Sequence, residues 1–144
     1  MIKMENLTAL YLRLSRDDEK ESESESISNQ REFLTDYARQ NSFNIVEIFI
    51  DDGYSGTTYD RPAFQQMIKM VEQKKINTII TKDLSRLGRD YIKTGYYLEE
   101  YFPLNKIRYI AVNDGIDTFA NSSGNDMSAF RAVFNDMYSS DLGK

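Results

Sequence analysis

The chain has 144 residues, 40% of them hydrophobic, with 23 acidic side chains against 18 basic ones and neither histidine nor cysteine. That is enough for one compact domain with a real core, and it rules out disulfides, thiolate metal sites and Ser-His-Asp or Cys-His catalysis. A net charge of −5 argues against a general nucleic-acid coat, and no apolar run approaches the roughly 20 residues needed to cross a bilayer, so a cytoplasmic location is expected.

Residues 7–14 read as a buried first strand, with Leu7, Leu10, Leu12 and Leu14 among Ala9 and Tyr11, closing at Ser15. The acidic run that follows, Asp17, Asp18, Glu19, Glu21, Glu23 and Glu25, reads as a solvated loop, because like charges repel and extend the chain. With that charge gathered in one place, the remaining surface sits nearer neutrality and leaves room for a local basic site. A helix is expected to start at 26–28, capped by Ser26 or Ser28, with Ile27, Leu34, Tyr37 and Ala38 turned inward. Residues 44–50 alternate and then run apolar, a second strand ending at Asp51-Asp52-Gly53. Gly53, Ser55, Gly56, Thr57 and Thr58 make a flexible loop, and Pro62 takes the first turn of the next helix. Its stripe of Phe64, Met67, Ile68 and Val71 falls at i, i+3, i+4 and i+7.

Residues 76–81 form a short β-branched strand, 82–89 a loop, 90–102 a helix stopped at Pro103, and 107–112 a fourth strand. Tyr91, Tyr96, Tyr97 and Tyr101 read as helix packing with polar tips rather than a base-stacking platform. After a loop over 113–122, Ser123 with Asp126 opens a long last helix whose broad face holds Met127, Phe130, Val133, Phe134 and Met137. That face either completes the core or packs against a second copy. Residues 138–144 continue without a finishing element, so the chain is expected to be one domain, 1–144, cut from a longer protein.

This alternation predicts an α/β fold of three layers: a mostly parallel central sheet of four to five strands, helices on both faces and right-handed crossovers. Ligand sites in such sheets collect at the carboxyl ends of strands. Ser15, Asp52 and the 82–89 loop all follow strand ends, so they can converge although they are far apart in the chain.

The charged residues at those ends share a chemistry. Arg13 lies two residues before Ser15, Arg61 sits in Asp60-Arg61-Pro62, and Arg86 and Arg89 frame Ser85-Arg86-Leu87-Gly88-Arg89. A serine ringed by guanidiniums suits a phosphodiester, whose anionic oxygens accept bidentate hydrogen bonds from fixed planar forks. Attack on phosphorus piles charge on the non-bridging oxygens, and preorganised guanidiniums stabilise that charge more in the transition state than in the ground state.

Taken together, Tyr11-x-Arg13-x-Ser15, Tyr54-Ser55-Gly56 followed by Asp60-Arg61-Pro62, and Ser85-Arg86-Leu87-Gly88-Arg89-Asp90 resemble the catalytic domain of the serine recombinases. The resemblance covers nearly the whole chain, and Asp83-Leu84-Ser85-Arg86-Leu87-Gly88-Arg89 looks most like the large members, the integrases and transposases of mobile elements. It implies that Ser15 attacks a DNA phosphate and stays joined to the 5′ end, that Arg13, Arg86 and Arg89 bind the scissile phosphate, and that Arg61 completes the cluster. Gln30 and Asp52 match family positions that support these groups, and Tyr11, Ser55, Asp83 and Ser85 fall in the same motifs as further supporting residues. It also implies double-stranded DNA as substrate, a homodimer that assembles into a synaptic homotetramer, religation without ATP, no cofactor or metal, and a base-reading region downstream. In one place the chain departs from the family. Small resolvases carry Asp immediately before the first arginine of the last motif, where this chain has Ser85; Asp83 either replaces that carboxylate or merely pairs on the surface.

Two other readings compete. Asp51-Asp52 at a strand end and Lys82 after another are reminiscent of a phosphoacceptor receiver domain, although the acidic pair there should follow the first strand. A catalytically silent dimerisation module is the other, and it gives the arginines no common task.

Overall fold

The structure, a computed structural model, describes residues 6–15, 26–119, 131, 132 and 135. Among these residues five strands, β1 (Thr8–Leu14), β2 (Ile45–Asp52), β3 (Thr78–Thr81), β4 (Arg108–Ala111) and β5 (Ile116–Asp117), form one sheet in the order β2-β1-β3-β4-β5. The first four run parallel and β5 is antiparallel to β4. All seven residues of β1 are buried, as a central strand covered on both faces requires.

Alternation along the strands divides the core in two. Ala9, Tyr11, Ile79, Tyr109 and Ala111 face one side, where α2 (Pro62–Glu72) contributes Phe64, Met67 and Val71. Leu10, Leu12, Ile80 and Ile110 face the other, covered by Leu34 of α1 (Ile27–Gln40) with Ile27, Phe33 and Tyr37. The connections β1-α1-β2 and β2-α2-β3 thus lie on opposite faces, and the chain leaves β1 to one side and returns to the other. The strand order therefore reverses between β1 and β3, the place where a crevice opens beyond the carboxyl ends of the strands.

Local chemistry explains the helix starts. Ser26 caps α1, accepting a hydrogen bond from Asn29 N at 3.2 Å, and Pro62 begins α2 where its missing N–H costs nothing. The expected loop over 82–89 instead contains a helical turn, α3 (Leu84–Leu87), because the Asp83 side chain accepts from Arg86 N and caps it. The helix expected over 90–102 starts on an Asp90 cap as α4 (Tyr91–Tyr96), then widens into a π-helical stretch over Tyr97–Tyr101 and ends as α5 (Phe102–Leu104). Pro103 thus lies inside the last turn rather than stopping the helix. A proline ring crowds the carbonyl four residues back, and the wider turn, in which Phe102 N bonds Tyr97 O, relieves that crowding.

β5 falls in the expected loop after β4; at two residues it carries no periodicity to read, and it is held by Arg108, whose Nε and Nη2 meet Asp117 at 3.0 and 2.7 Å. Of the expected last helix, Arg131, Ala132 and Asn135 are helical, and Arg131 pairs with Glu99 at 3.3 Å. Its apolar face (Met127, Phe130, Val133, Phe134, Met137), its Ser123 start and the acidic run at 17–25 lie outside the described residues. Among the described residues no helix is long and apolar enough to cross a membrane.

Candidate active site

Arg13 lies near the end of β1, on the face shared with Tyr11, with Ser15 just beyond the strand, and the loops after β2 and β3 close over Arg13. Arg13 is 0% exposed, and its guanidinium acts as a three-way tie between those loops. Nε donates to Arg86 O at 3.3 Å, Nη1 to Tyr54 O at 3.0 Å, and Nη2 to Ser85 O. A buried cation survives only where polar groups replace its lost water, and main-chain carbonyls do so here. Gly56 belongs to this contact: a Cβ built there would stand 2.8 Å from Arg13 Nη2 and 3.0 Å from Arg89 Cγ. Arg89 N also donates to Gly56 O at 2.7 Å, so Arg13 and Arg89 flank one glycine although 76 positions separate them in sequence (89 − 13).

Arg61 is likewise fully buried, in a box of aromatic rings, with its guanidinium carbon 5.6 Å from the Tyr11 centroid, 4.6 Å from Tyr59 and 5.1 Å from Phe64. It donates to Thr58 O and Leu87 O at 2.7 Å each and to Tyr11 Oη at 2.8 Å. Tyr11 in turn donates to Asp51 Oδ2 at 2.7 Å. Burial, opposed in part by Arg61, pushes the Tyr11 phenol well up, so it remains a neutral relay between cation and carboxylate.

Asp51, rather than the expected Asp52, is the carboxylate that reaches this network. Its Oδ1 accepts from Ala63 N at 2.9 Å and its Oδ2 from Phe64 N at 3.0 Å, placing a negative charge on the N-terminus of α2. Register decides which acidic residue takes this place. A one-residue irregularity between Thr8 and Ala9 sets Arg13 opposite Asp51 and Leu14 opposite Asp52. Asp51 therefore faces the arginines from a buried position, and Asp52 points away and is exposed.

Gln30 reaches Arg13 from α1: its Oε1 accepts from Arg13 N at 3.3 Å and its Nε2 donates to Arg13 O at 3.0 Å. Arg86 Nη1 donates to the same carbonyl at 3.2 Å. Arg86 is 4% exposed, and its Nε lies 3.8 Å from Asp83 Oδ1, the oxygen that also accepts from Ser85 Oγ at 2.6 Å. Asp83 thus pairs with the first arginine of its motif from two residues before Ser85. Ser55 is exposed and shapes its own turn, bonding Thr57 Oγ1 at 2.8 Å and accepting from Thr57 N at 3.1 Å. Ser15 and Arg89 are half-buried and stand at the rim.

The structure thus gathers Tyr11, Arg13, Gln30, Arg61, Asp83, Ser85, Arg86 and Arg89 into one connected cluster at the switch point, and Ser15 follows Arg13 by two residues, half-buried just past the end of β1. Ser55 sits on the loop beside it, and Asp52 faces outward.

The family and the fold have known counterparts. Residues 8–144 match the family model described as resolvase, N-terminal domain. The solved N-terminal catalytic domain of TP901-1 integrase is similar at 30% identity and a TM-score of 0.73, over 96% of this chain and 98% of that one. The C-terminal catalytic domain of ISC1926 TnpA, an IS607-like serine recombinase, is similar at 27% identity and a TM-score of 0.60, over 74% of this chain and 66% of that one. A resolvase family site-specific recombinase from Streptococcus pneumoniae shares the fold at 21% identity and a TM-score of 0.64, over 96% and 89%. The chain belongs to the resolvase N-terminal domain family, as a catalytic domain of the serine recombinases of the integrase and transposase type.

Proposed function

We propose that Ser15 carries the recombination chemistry. Its Oγ attacks a DNA phosphorus, the bond from phosphorus to the 3′ oxygen breaks, and the 3′ oxygen leaves as a hydroxyl while the 5′ phosphate stays on Ser15. Reversal by the 3′ hydroxyl of a new partner strand rejoins the backbone. The phosphoserine ester retains the free energy of the broken bond, so rejoining needs no ATP.

The observation that supports this reading best is the position of Arg13 and Arg89 on either side of Gly56, at the strand end that bears Ser15. In this reading Arg89 meets the phosphate first, because it already stands at the rim. Arg13 and Arg86 are buried against main-chain carbonyls and join by exchanging those carbonyls for phosphate oxygens. Such an exchange replaces a neutral acceptor with a charged one, and hydrogen bonds between two ionised groups are the stronger kind. Arg61 completes the positive field from below. Tyr11, Gln30, Asp83 and Ser85 hold the arginines, and Ser55 borders the entrance.

Double-stranded DNA carrying recombination sites is the proposed substrate, cut and exchanged in a synaptic homotetramer built from homodimers. The base-reading region lies elsewhere in the recombinase, so this domain alone binds DNA weakly. Replacing Ser15 with Ala in the intact recombinase tests the reading: strand cleavage is lost while folding and DNA binding persist. Cleavage by Ser15→Ala at the normal rate would leave the domain a silent dimerisation module.

A further inference from the structure

We propose that Tyr59 is a positioning residue for strand cleavage, a wedge seated between Arg61, Gly88 and Thr94 that sets where Arg86 and Arg89 stand relative to one another. The inference rests on the reading of Arg86 and Arg89 as phosphate-binding groups, and it gives a task to a residue outside all three motifs.

Tyr59 is buried and touches every part of the surrounding frame. Its ring lies against the Arg61 guanidinium at 4.6 Å, edge-on to Phe64 at 5.0 Å and tilted against Tyr97 at 5.1 Å. Its hydroxyl bonds Thr94 Oγ1, a buried group on α4. Burial pushes this phenol up to about 12, so it stays a neutral partner at any working pH.

The same hydroxyl is pressed against Gly88. A Cβ at Gly88 would lie 2.0 Å from Tyr59 Oη, 2.4 Å from Cζ and 2.9 Å from Cε2, closer than atoms can approach. The backbone of Gly88 is extended, with φ at 173°, a conformation open to any residue. Glycine is needed here for the space it leaves, and Tyr59 fills that space.

Gly88 joins Arg86 to Arg89. One residue earlier, Leu87 O accepts from Arg61 Nη2 at 2.7 Å; one residue later, Arg89 N donates to Gly56 O at 2.7 Å. The segment is therefore gripped at its carbonyl by Arg61, at its Cα by Tyr59 and at its amide by Gly56. Tyr59 is the member of this set that also ties the segment to α4, through Thr94. Two guanidiniums that must meet one phosphate tolerate little displacement, and a shift of about 1 Å in such groups costs on the order of a hundredfold in rate.

The test uses the intact recombinase and a duplex spanning the ends of its own mobile element, and reads single-turnover cleavage, DNA affinity and thermal midpoint. Tyr59→Leu is expected to slow cleavage by about ten- to a hundredfold at nearly unchanged DNA affinity. Tyr59→Phe, which keeps the ring and loses the hydroxyl, slows it less and leaves the midpoint near that of the parent. Gly88→Ala slows cleavage strongly, and the pair Gly88→Ala with Tyr59→Leu cleaves faster than Gly88→Ala alone, because leucine leaves room for the new methyl. Parental cleavage rates in both Tyr59 variants, or strictly additive losses in the pair, overturn the inference, as does cleavage that merely tracks the midpoint. Ser15→Ala runs alongside: its cleaving normally overturns the parent reading and this one with it, whereas an inert Ser15→Ala with additive losses at Tyr59 and Gly88 overturns this inference alone.

Discussion

Gln30 holds the main chain of Arg13 at both its polar groups, accepting from the amide at 3.3 Å and donating to the carbonyl at 3.0 Å. Through these two bonds α1, on one face of the sheet, fixes a guanidinium that projects from the other. Gln30→Ala removes both from a buried site and is expected to lower stability by about 1–3 kcal/mol, read from the urea midpoint at unchanged slope. Cleavage by the folded variant should fall further than stability does, because Arg13 loses its main-chain reference.

Gly56→Ala tests the close approach of Arg13 and Arg89. Its methyl would meet Arg13 Nη2 at 2.8 Å, and that guanidinium is pinned by three carbonyls rather than free to swing aside. Overpacking of this kind costs about 1–3 kcal/mol. Thermal unfolding measures that cost, and a cleavage assay should show a strong loss at temperatures where the variant is still folded.

Arg86→Lys keeps the charge and loses the planar fork. A lysine that gives up Arg13 O offers a phosphate a point charge in place of a fixed pair of donors. Cleavage is expected to fall by about 10²–10³-fold, the usual consequence of removing one preorganised transition-state donor. Full activity in single-turnover assays would contradict the phosphate-clamp assignment.

Asp114 supplies a pH dependence of stability. Burial raises its pKa above the ordinary carboxylate value, although Leu84 N donates to its Oδ2, and Asp83 adds to the rise. The folded state then holds a proton that the unfolded state has released, so stability falls as pH rises from about 3.8 through the folded-state pKa, and the penalty is fully present above it. Asp114→Asn retains an acceptor for Leu84 N. Relative to the parent, it should be more stable at pH 7 than at pH 3.5, as measured by denaturant midpoints.

Much of this was legible in the sequence because periodicity carries it. The leucines of β1, the stripe Phe64, Met67, Ile68 and Val71, and the Pro62 start each state a face or a boundary. The arginine motifs sit at strand ends, and a parallel sheet brings such ends together. What escaped depends on register and on main-chain partners. Asp51 and Asp52 are chemically identical neighbours, and only the irregularity at Thr8 and Ala9 decides which one turns toward Arg13. The capped turn at Leu84–Leu87 is too short to show a period, and the widened turn at Tyr97–Tyr101 leaves the local spacing of apolar residues nearly unchanged. Nor does composition reveal that Arg13 and Arg61 spend their donors on the carbonyls of Tyr54, Ser85, Arg86, Thr58 and Leu87.

The most direct test of the account is to trap the covalent intermediate. The intact recombinase is mixed with a nicked duplex spanning the ends of its own mobile element, and the protein–DNA adduct is digested and mapped by mass spectrometry. A 5′-phosphate on Ser15, absent in Ser15→Ala, is the predicted result. An adduct on any other residue, or an undiminished adduct in Ser15→Ala, would contradict it.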